Sequence, residues 1–253
     1  MTEDVRRFYD ALAPDYDLMT SFDDRFEKER PWFEAFVSKF GIRTALDAGC
    51  GTGFHSILLS RLGVSVAGID ASPAMIERAR ENARRLDSVV TLHTGGFSDI
   101  SSIIEGVLGA PGPFDAVFCL GNSLVHMLTD AELNEALTNF RSLLRPGGIL
   151  VAQVLNYDRI LSEKKELLGK REAGGMTFER RYAYHGETIT FTLSRGANAE
   201  AVELRPLTSE TLLKSLEEAG FGEAEIFGSL AMGAFNPAAS TDLVMTAKRS
   251  TPI

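Results

Sequence analysis

The stretch LDAGCGTGFHS, residues 46–56, constrains the fold more than any other part of this chain. A short apolar run, TALDA (44–48), ends on Asp47 and Ala48. Glycines then alternate at Gly49, Gly51 and Gly53, and GFHSILLSRLG (53–63) continues with helical spacing. Glycine at that density permits positive φ and lets a ligand approach the main chain. A buried strand, a glycine turn and a helix, in that order, open the ligand-binding unit of an α/β sheet.

The same alternation continues downstream. VSVAGID (64–70) reads as a second strand, and SPAMIERARENARRL (72–86) as a helix with Ser72 as N-cap and Pro73 at its first position. SVVTLH (88–93) and FDAVFCLG (114–121) read as the third and fourth strands. TDAELNEALTNFRSLLRPGG (129–148) is a helix with a Thr129–Glu132 capping box, stopped at Pro146-Gly147-Gly148. ILVAQVL (149–155) is continuously apolar, as a central parallel strand requires. The pattern predicts an α/β chain with a doubly wound, mostly parallel sheet covered on both faces.

Residues 156–205 break the rhythm. MTFERRYAYH and ETITFTLS alternate as antiparallel strands about a His185-Gly186 turn, which predicts a β-rich insertion. TSETLLKSLEEAGF (208–221) returns to a helix, and AEIFGS and TDLVMTAK read as edge strands. The expected organisation is an N-terminal helical lid (1–40), a ligand-binding core (41–155), a β-rich insertion capping the site (156–205) and a C-terminal part of the core (206–253). Ligands in such sheets bind beyond the carboxyl ends of the strands, so lid and insertion are placed to cover them.

Composition narrows the partners. The net charge of −9 and the absence of a basic run argue against a nucleic-acid backbone. Cys50 and Cys119 form no disulfide framework or zinc spacing and read as small buried residues. No paired carboxylates, Ser/His/Asp set or metal cluster stands out. The N-terminus is charged and no apolar run reaches the ~20 residues of a membrane helix, so a soluble, cytoplasmic protein is expected.

The glycine spacing bears on the kind of ligand. A dinucleotide fingerprint, G-x-G-x-x-G/A, would end on Phe54 or Ser56, and neither fits. The pattern D-x-G-x-G-x-G, at Asp47, Gly49, Gly51 and Gly53, resembles motif I of class I S-adenosylmethionine-dependent methyltransferases. RPGGIL resembles the turn before their fifth strand, and FYDALAPDYDLM their N-terminal Y-D-x-x-A-x-x-Y-D. The resemblance implies a Rossmann-like seven-stranded sheet and S-adenosyl-L-methionine as cofactor, with S-adenosyl-L-homocysteine as product. Asp70 would hold the ribose hydroxyls, since a carboxylate accepts from both; its other reading is a turn residue after a strand. Tyr9 and Tyr16 would close over the cofactor, or else pack the helix on the domain. The implied cofactor set is Tyr16, Arg25, Asp47, Gly49, Gly51, Gly53, Asp70, Ala71, Met75, Gly96, Phe97 and Leu120. Phe97 would lie against adenine. Gly96 stands where the family has a polar side chain, leaving that bond to a backbone amide or Asp99.

CLGNSLVHM (119–127) and LNYDRIL (155–161) are similar to segments of glycine and glycine/sarcosine N-methyltransferases. The resemblance implies catalytic roles for Asn122 and His126 and substrate contacts from Asn122 and Asn156. Those enzymes carry an arginine before N-Y-D that grips the substrate carboxylate. Here the position is Leu155, so glycine is not the expected acceptor, and Arg181 or Arg205 is left to supply a carboxylate partner. The implied activity is methyl transfer to a small molecule, at the nitrogen of a small amine. O-methylation of a metabolite and a non-catalytic, cofactor-binding regulatory role are the alternatives. No metal, nucleic acid or membrane is expected to take part.

Overall fold

The computed structural model describes residues 2–106 and 113–250. Two helices lead, α1 (Glu3–Thr20) and α2 (Phe22–Phe40), divided at Ser21, whose φ of 55° caps one and starts the next. The alternating core follows as β1 (Thr44–Ala48), α3 (Phe54–Arg61), β2 (Ser65–Asp70), α4 (Pro73–Arg85), β3 (Thr91–Thr94), α5 (Ile100–Gly106) and β4 (Phe114–Cys119). After a 3-10 turn at Ser123–His126 come α6 (Asp130–Leu143) and β5 (Leu144–Leu155). The chain then forms α7 (Tyr157–Glu163) and a separate sheet of β6 (Leu167–Ala173), β7 (Met176–His185), β8 (Thr188–Arg195) and β9 (Asn198–Leu204). It returns with α8 (Ser209–Glu218), β10 (Phe221–Phe227) and β11 (Asp242–Arg249).

The main sheet has seven strands in the order β10-β11-β5-β4-β1-β2-β3, parallel except where β11 pairs antiparallel with β5 and β10. This is the predicted doubly wound class. Successive side chains of β4 face opposite layers. Ala116 and Phe118 pack with Phe33, Phe36 and Leu58 from α2 and α3, while Val117 and Cys119 pack with Leu137 and Phe140 from α6. Ser72 and Thr129 cap α4 and α6 as their sequences predict, Thr129 in a reciprocal box with Glu132.

Four local expectations are corrected. β5 begins at Leu144, not Ile149: Leu144 already pairs with Phe114, and an irregularity before Ala116 lets Pro146-Gly147 bulge outward within the strand. TDLVMTAK is not an edge strand, because β11 lies between β5 and β10. The second sheet has four strands rather than two, since the charged LLGKREA and NAEAVEL segments pair on its outer sides. Helix α7 arises where only β structure was expected, with Asn156 as its N-cap.

The second sheet buries Phe178, Tyr182, Ile189 and Leu193 in the same core as Val5, Phe8 and Leu12 of α1. An Arg195–Asp15 ion pair at 2.7 Å ties the two together. On its other side α1 is held to α4: Asp10 accepts from the Ser72 hydroxyl and the Ala74 amide, and Asp17 from Arg78 and Asn82.

Candidate active site

The strand order reverses direction at β1, which lies between β2 and β4. A crevice opens at such a switch point. The glycine turn fills the floor of it. The Gly49 and Cys50 amides donate to the Ile69 carbonyl at 2.8 and 3.0 Å, docking the turn on β2. Gly49 has φ +78°, and a Cβ there would meet Ser123 Oγ at 2.7 Å. Gly51 has φ +54°, and its Cβ direction is open, with Tyr16 nearest at 3.9 Å. One glycine therefore lets two loops meet, and the other leaves room above the turn.

That room is a cleft of ≈ 640 Å³, counting its open mouth. Asp70 lines it from the end of β2, its two oxygens accepting from the Gly51 and Ser72 amides at 2.9 Å each. Enclosure disfavours the carboxylate, while those amides favour it and Asp47 and Asp10 oppose it; the balance raises its pKa to about 6. Tyr9 and Tyr16 close the cleft from α1, and Leu120, Gly121, Ser123 and His126 form its β4 wall. The Tyr9 hydroxyl and His126 Nε2 share a 2.8 Å hydrogen bond. Burial holds His126 neutral, with its pKa lowered to about 4.

The remaining wall is charged. Arg25 stacks on the Phe54 ring, 4.0 Å from its centroid, and donates to Glu29 at 2.7 Å. His55 Nε2 stands 3.2 Å from both Arg25 and Glu29. Burial alone would raise the Glu29 pKa, but His55 and Arg25 bring it down to about 2. His55, Thr52 and Ser123 escaped the sequence reading. The first two lie in the helix-side half of the glycine motif itself, and the signal for Ser123 was its place beside Asn122.

Of the sequence-predicted cofactor residues, Tyr16, Arg25, Gly49, Gly51, Asp70, Met75 and Leu120 line this cleft. Asp47 is buried behind it and accepts from Ser56 Oγ at 2.7 Å, with a pKa raised by burial. Gly53 serves packing: its Cβ would press on Ala79 at 3.0 Å. Ala71 and Phe97 do not line the cleft, Phe97 lying edge-on to Phe140. The Gly96 amide is met by Asp99 Oδ1 at 2.7 Å.

The substrate candidates are arranged differently from expectation. Asn122, at φ 71°, braces the wall: its Nδ2 donates to the Tyr157 hydroxyl at 3.0 Å and its Oδ1 accepts from the Leu155 amide at 3.0 Å. Asn156 is fully buried and donates to the carbonyls of Asn236, Pro237 and Ser240, so its amide clamps a loop rather than facing the cleft. Arg181 is half exposed and pairs with Glu179, and Arg205 pairs with Asp130. Neither arginine lines the cleft. Glu179 lies two residues before Arg181 on the same face of β7, and Asp130 stands in the first turn of α6 beside Arg205.

A methyltransferase-domain family model matches residues 45–148. A glycine/sarcosine N-methyltransferase of Parasynechococcus marenigrum is 36% identical over 156 residues, covering 62% of this chain and 53% of the relative. The chain thus spans about half the length of that relative. One from Aphanothece halophytica is 29% identical over 235 residues, covering 87% and 82%. Among solved structures, an S-adenosylmethionine-dependent methyltransferase from Clostridium acetobutylicum superposes with a TM-score of 0.76 over 96% of this chain and 99% of that one, at 15% identity, which speaks for the fold alone. The matched methyltransferase domain, residues 45–148, carries the Asp47–Gly53 turn and Asp70, and the chain is similar to the glycine/sarcosine N-methyltransferases.

Proposed function

We propose that the cleft binds S-adenosylmethionine and directs its methyl group to the nitrogen of a small amine. The observation that carries this reading is the pairing of an open glycine turn with Asp70 on one cleft wall. The Gly51 backbone leaves space that a side chain would fill, and the Asp70 carboxylate faces that space with acceptor capacity left for two hydroxyls. Met75 and Leu120 add apolar surface, and Arg25 adds a guanidinium for a carboxylate.

The cofactor supplies a methyl group on a sulfonium that leaves as a neutral thioether. What remains for the protein is to orient the acceptor and exclude water, and positioning of that kind contributes on the order of 7–11 kcal/mol. Asn122 fixes the loop after β4 through Tyr157 and the Leu155 amide, so the backbone of Gly121 and Ser123 holds a rigid line along the cleft. Tyr9 and Tyr16 shut the opposite side. His126, with a pKa near 4, is too weak a base to hold a proton taken from an ammonium; it positions Tyr9 instead, and the amine loses its proton to solvent. The acidic balance and two buried free cysteines support a reduced, cytoplasmic setting with small-molecule partners.

Calorimetric titration with S-adenosylhomocysteine and NAD, followed by mass-spectrometric screening of amines and hydroxylated metabolites, tests the reading. Binding of S-adenosylhomocysteine and mass gain on amines are expected. Tight NAD binding without heat from S-adenosylhomocysteine overturns the cofactor, and methylation confined to hydroxyls overturns the acceptor class.

A further inference from the structure

A second cavity adjoins the cleft and shares one residue with it. It is lined by Met19, Thr20, Arg25, Arg171, Phe178 and Arg180, with ≈ 710 Å³ of empty space counting its mouth. Arg25 belongs to both cavities. In a chain with net charge −9, the charged side chains lining this cavity are all arginines. Arg25 is paired with Glu29. Arg171 donates to the Met19 carbonyl at 2.9 Å and to the Ser21 hydroxyl, both neutral acceptors, and on its other side lines a cavity with Asp17, Asp23 and Asp24. Arg180 makes no ion pair among the described residues; the acid beside it, Glu179, is taken by Lys170 and Arg181. A strand sends neighbouring side chains to opposite faces, so Arg180 turns toward the cavity while Arg181 turns away. Phe178, two residues before Arg180, gives the cavity an apolar wall on the same face.

We propose that this cavity is an anion subsite for the acceptor: the amine that is methylated carries a carboxylate or phosphate, held by Arg180 and Arg171 in place of the clamp that Leu155 cannot provide. Guanidinium groups recognise both anions by paired, charge-assisted hydrogen bonds. The amine half of this inference rests on the methyltransferase reading; the anion half does not.

The test titrates the full chain with inorganic phosphate, with and without saturating S-adenosylhomocysteine. Phosphate is expected to bind in both conditions, to weaken at least tenfold in Arg180→Gln, and to recover in Arg180→Lys, while S-adenosylhomocysteine binding stays unchanged. Arg180 is exposed, so its replacement leaves the fold intact; Arg171→Gln provides a second loss of binding. Rates are then compared for 4-aminobutanoate, O-phosphoethanolamine and 1-aminobutane. Preference for one of the charged amines, lost in Arg180→Gln, supports the subsite and tells carboxylate from phosphate. No phosphate binding, binding indifferent to both arginines, or displacement by S-adenosylhomocysteine overturns it, as does equal use of the three amines. Arginine-dependent phosphate binding without methylation of any amine upholds the subsite and overturns the methyltransferase reading instead.

Discussion

Tyr9 and His126 stand 117 positions apart in the sequence and meet across the cleft, hydroxyl to Nε2 at 2.8 Å, with their rings edge-on at 5.3 Å. One comes from the N-terminal helix and the other from the turn after β4, so this single bond joins the cover of the site to its wall.

Removing that bond is expected to loosen the cover. Tyr9→Phe keeps the ring and deletes one hydroxyl, at a cost of about 0.5–1.5 kcal/mol. Amide exchange over residues 3–20 should quicken in the variant. In the wild-type chain, exchange over 3–40 and parts of 156–205 should slow when S-adenosylhomocysteine and an amine are both present. Hydrogen exchange read by mass spectrometry checks both, and identical protection in all three samples refutes the latch.

His126 is expected to matter for geometry and acid stability more than for proton transfer. His126→Asn should lower kcat less than about tenfold and leave the apparent pKa of the rate profile in place. A general base would show a loss nearer 10²–10⁴. Its folded pKa, near 4, lies below the 6.5 of a free imidazole, so the unfolded chain binds the extra proton between those values. Stability from keeping it neutral is full above pH 6.5 and is lost as pH falls toward 4, by roughly 3 kcal/mol. Melting curves from pH 4 to 7 should be flatter in the variant.

Asp70 has the opposite sign. Its folded pKa, about 6, lies above that of a free carboxyl, so its ionisation costs the unliganded protein stability as pH rises from 4 to 6. The same ionisation is needed to accept hydroxyls. S-adenosylhomocysteine affinity should therefore fall as pH drops through about 6, and Asp70→Asn should bind weakly at every pH. Calorimetry between pH 5 and 8 decides this, and a wild-type affinity that does not change with pH counts against Asp70 as the hydroxyl acceptor.

Leu155 bears on the proposed acceptor. Its amide is held by Asn122, and its apolar side chain packs against the core where the similar N-methyltransferases carry an arginine. A buried carboxylate without a partner costs several kcal/mol. Leu155→Arg should raise glycine methylation relative to larger amines, and efficient glycine methylation by the unmodified chain would show the clamp to be dispensable. Kinetic comparison on glycine and 4-aminobutanoate reads the change.

What the sequence made legible were features written locally. The Asp47–Gly53 turn, the Ser72 and Thr129 caps and the apolar run of β5 each depend on neighbours in the chain, and they place the cleft floor and the sheet. Contacts between distant segments were not legible. Nothing near Asn156 announces that its amide meets carbonyls at 236, 237 and 240, and nothing near Arg205 announces Asp130. Resemblance named Asn122 and His126 by position, but their partners, Tyr157 and Tyr9, come from other elements and set what each can do. The outer strands β6 and β9 hid for a related reason: with one face on the core and many charges, their alternation is weak.

The place of β11 has a consequence for the order of synthesis. β5 is complete at Leu155, yet the strand that covers its flank begins at Asp242. Until β11 has been made, the growing sheet ends in a bare, apolar edge open to pairing with any other strand. Sealing it is the work of β11, so chains stalled or clipped before Asp242 are the ones that chaperones and proteases must intercept.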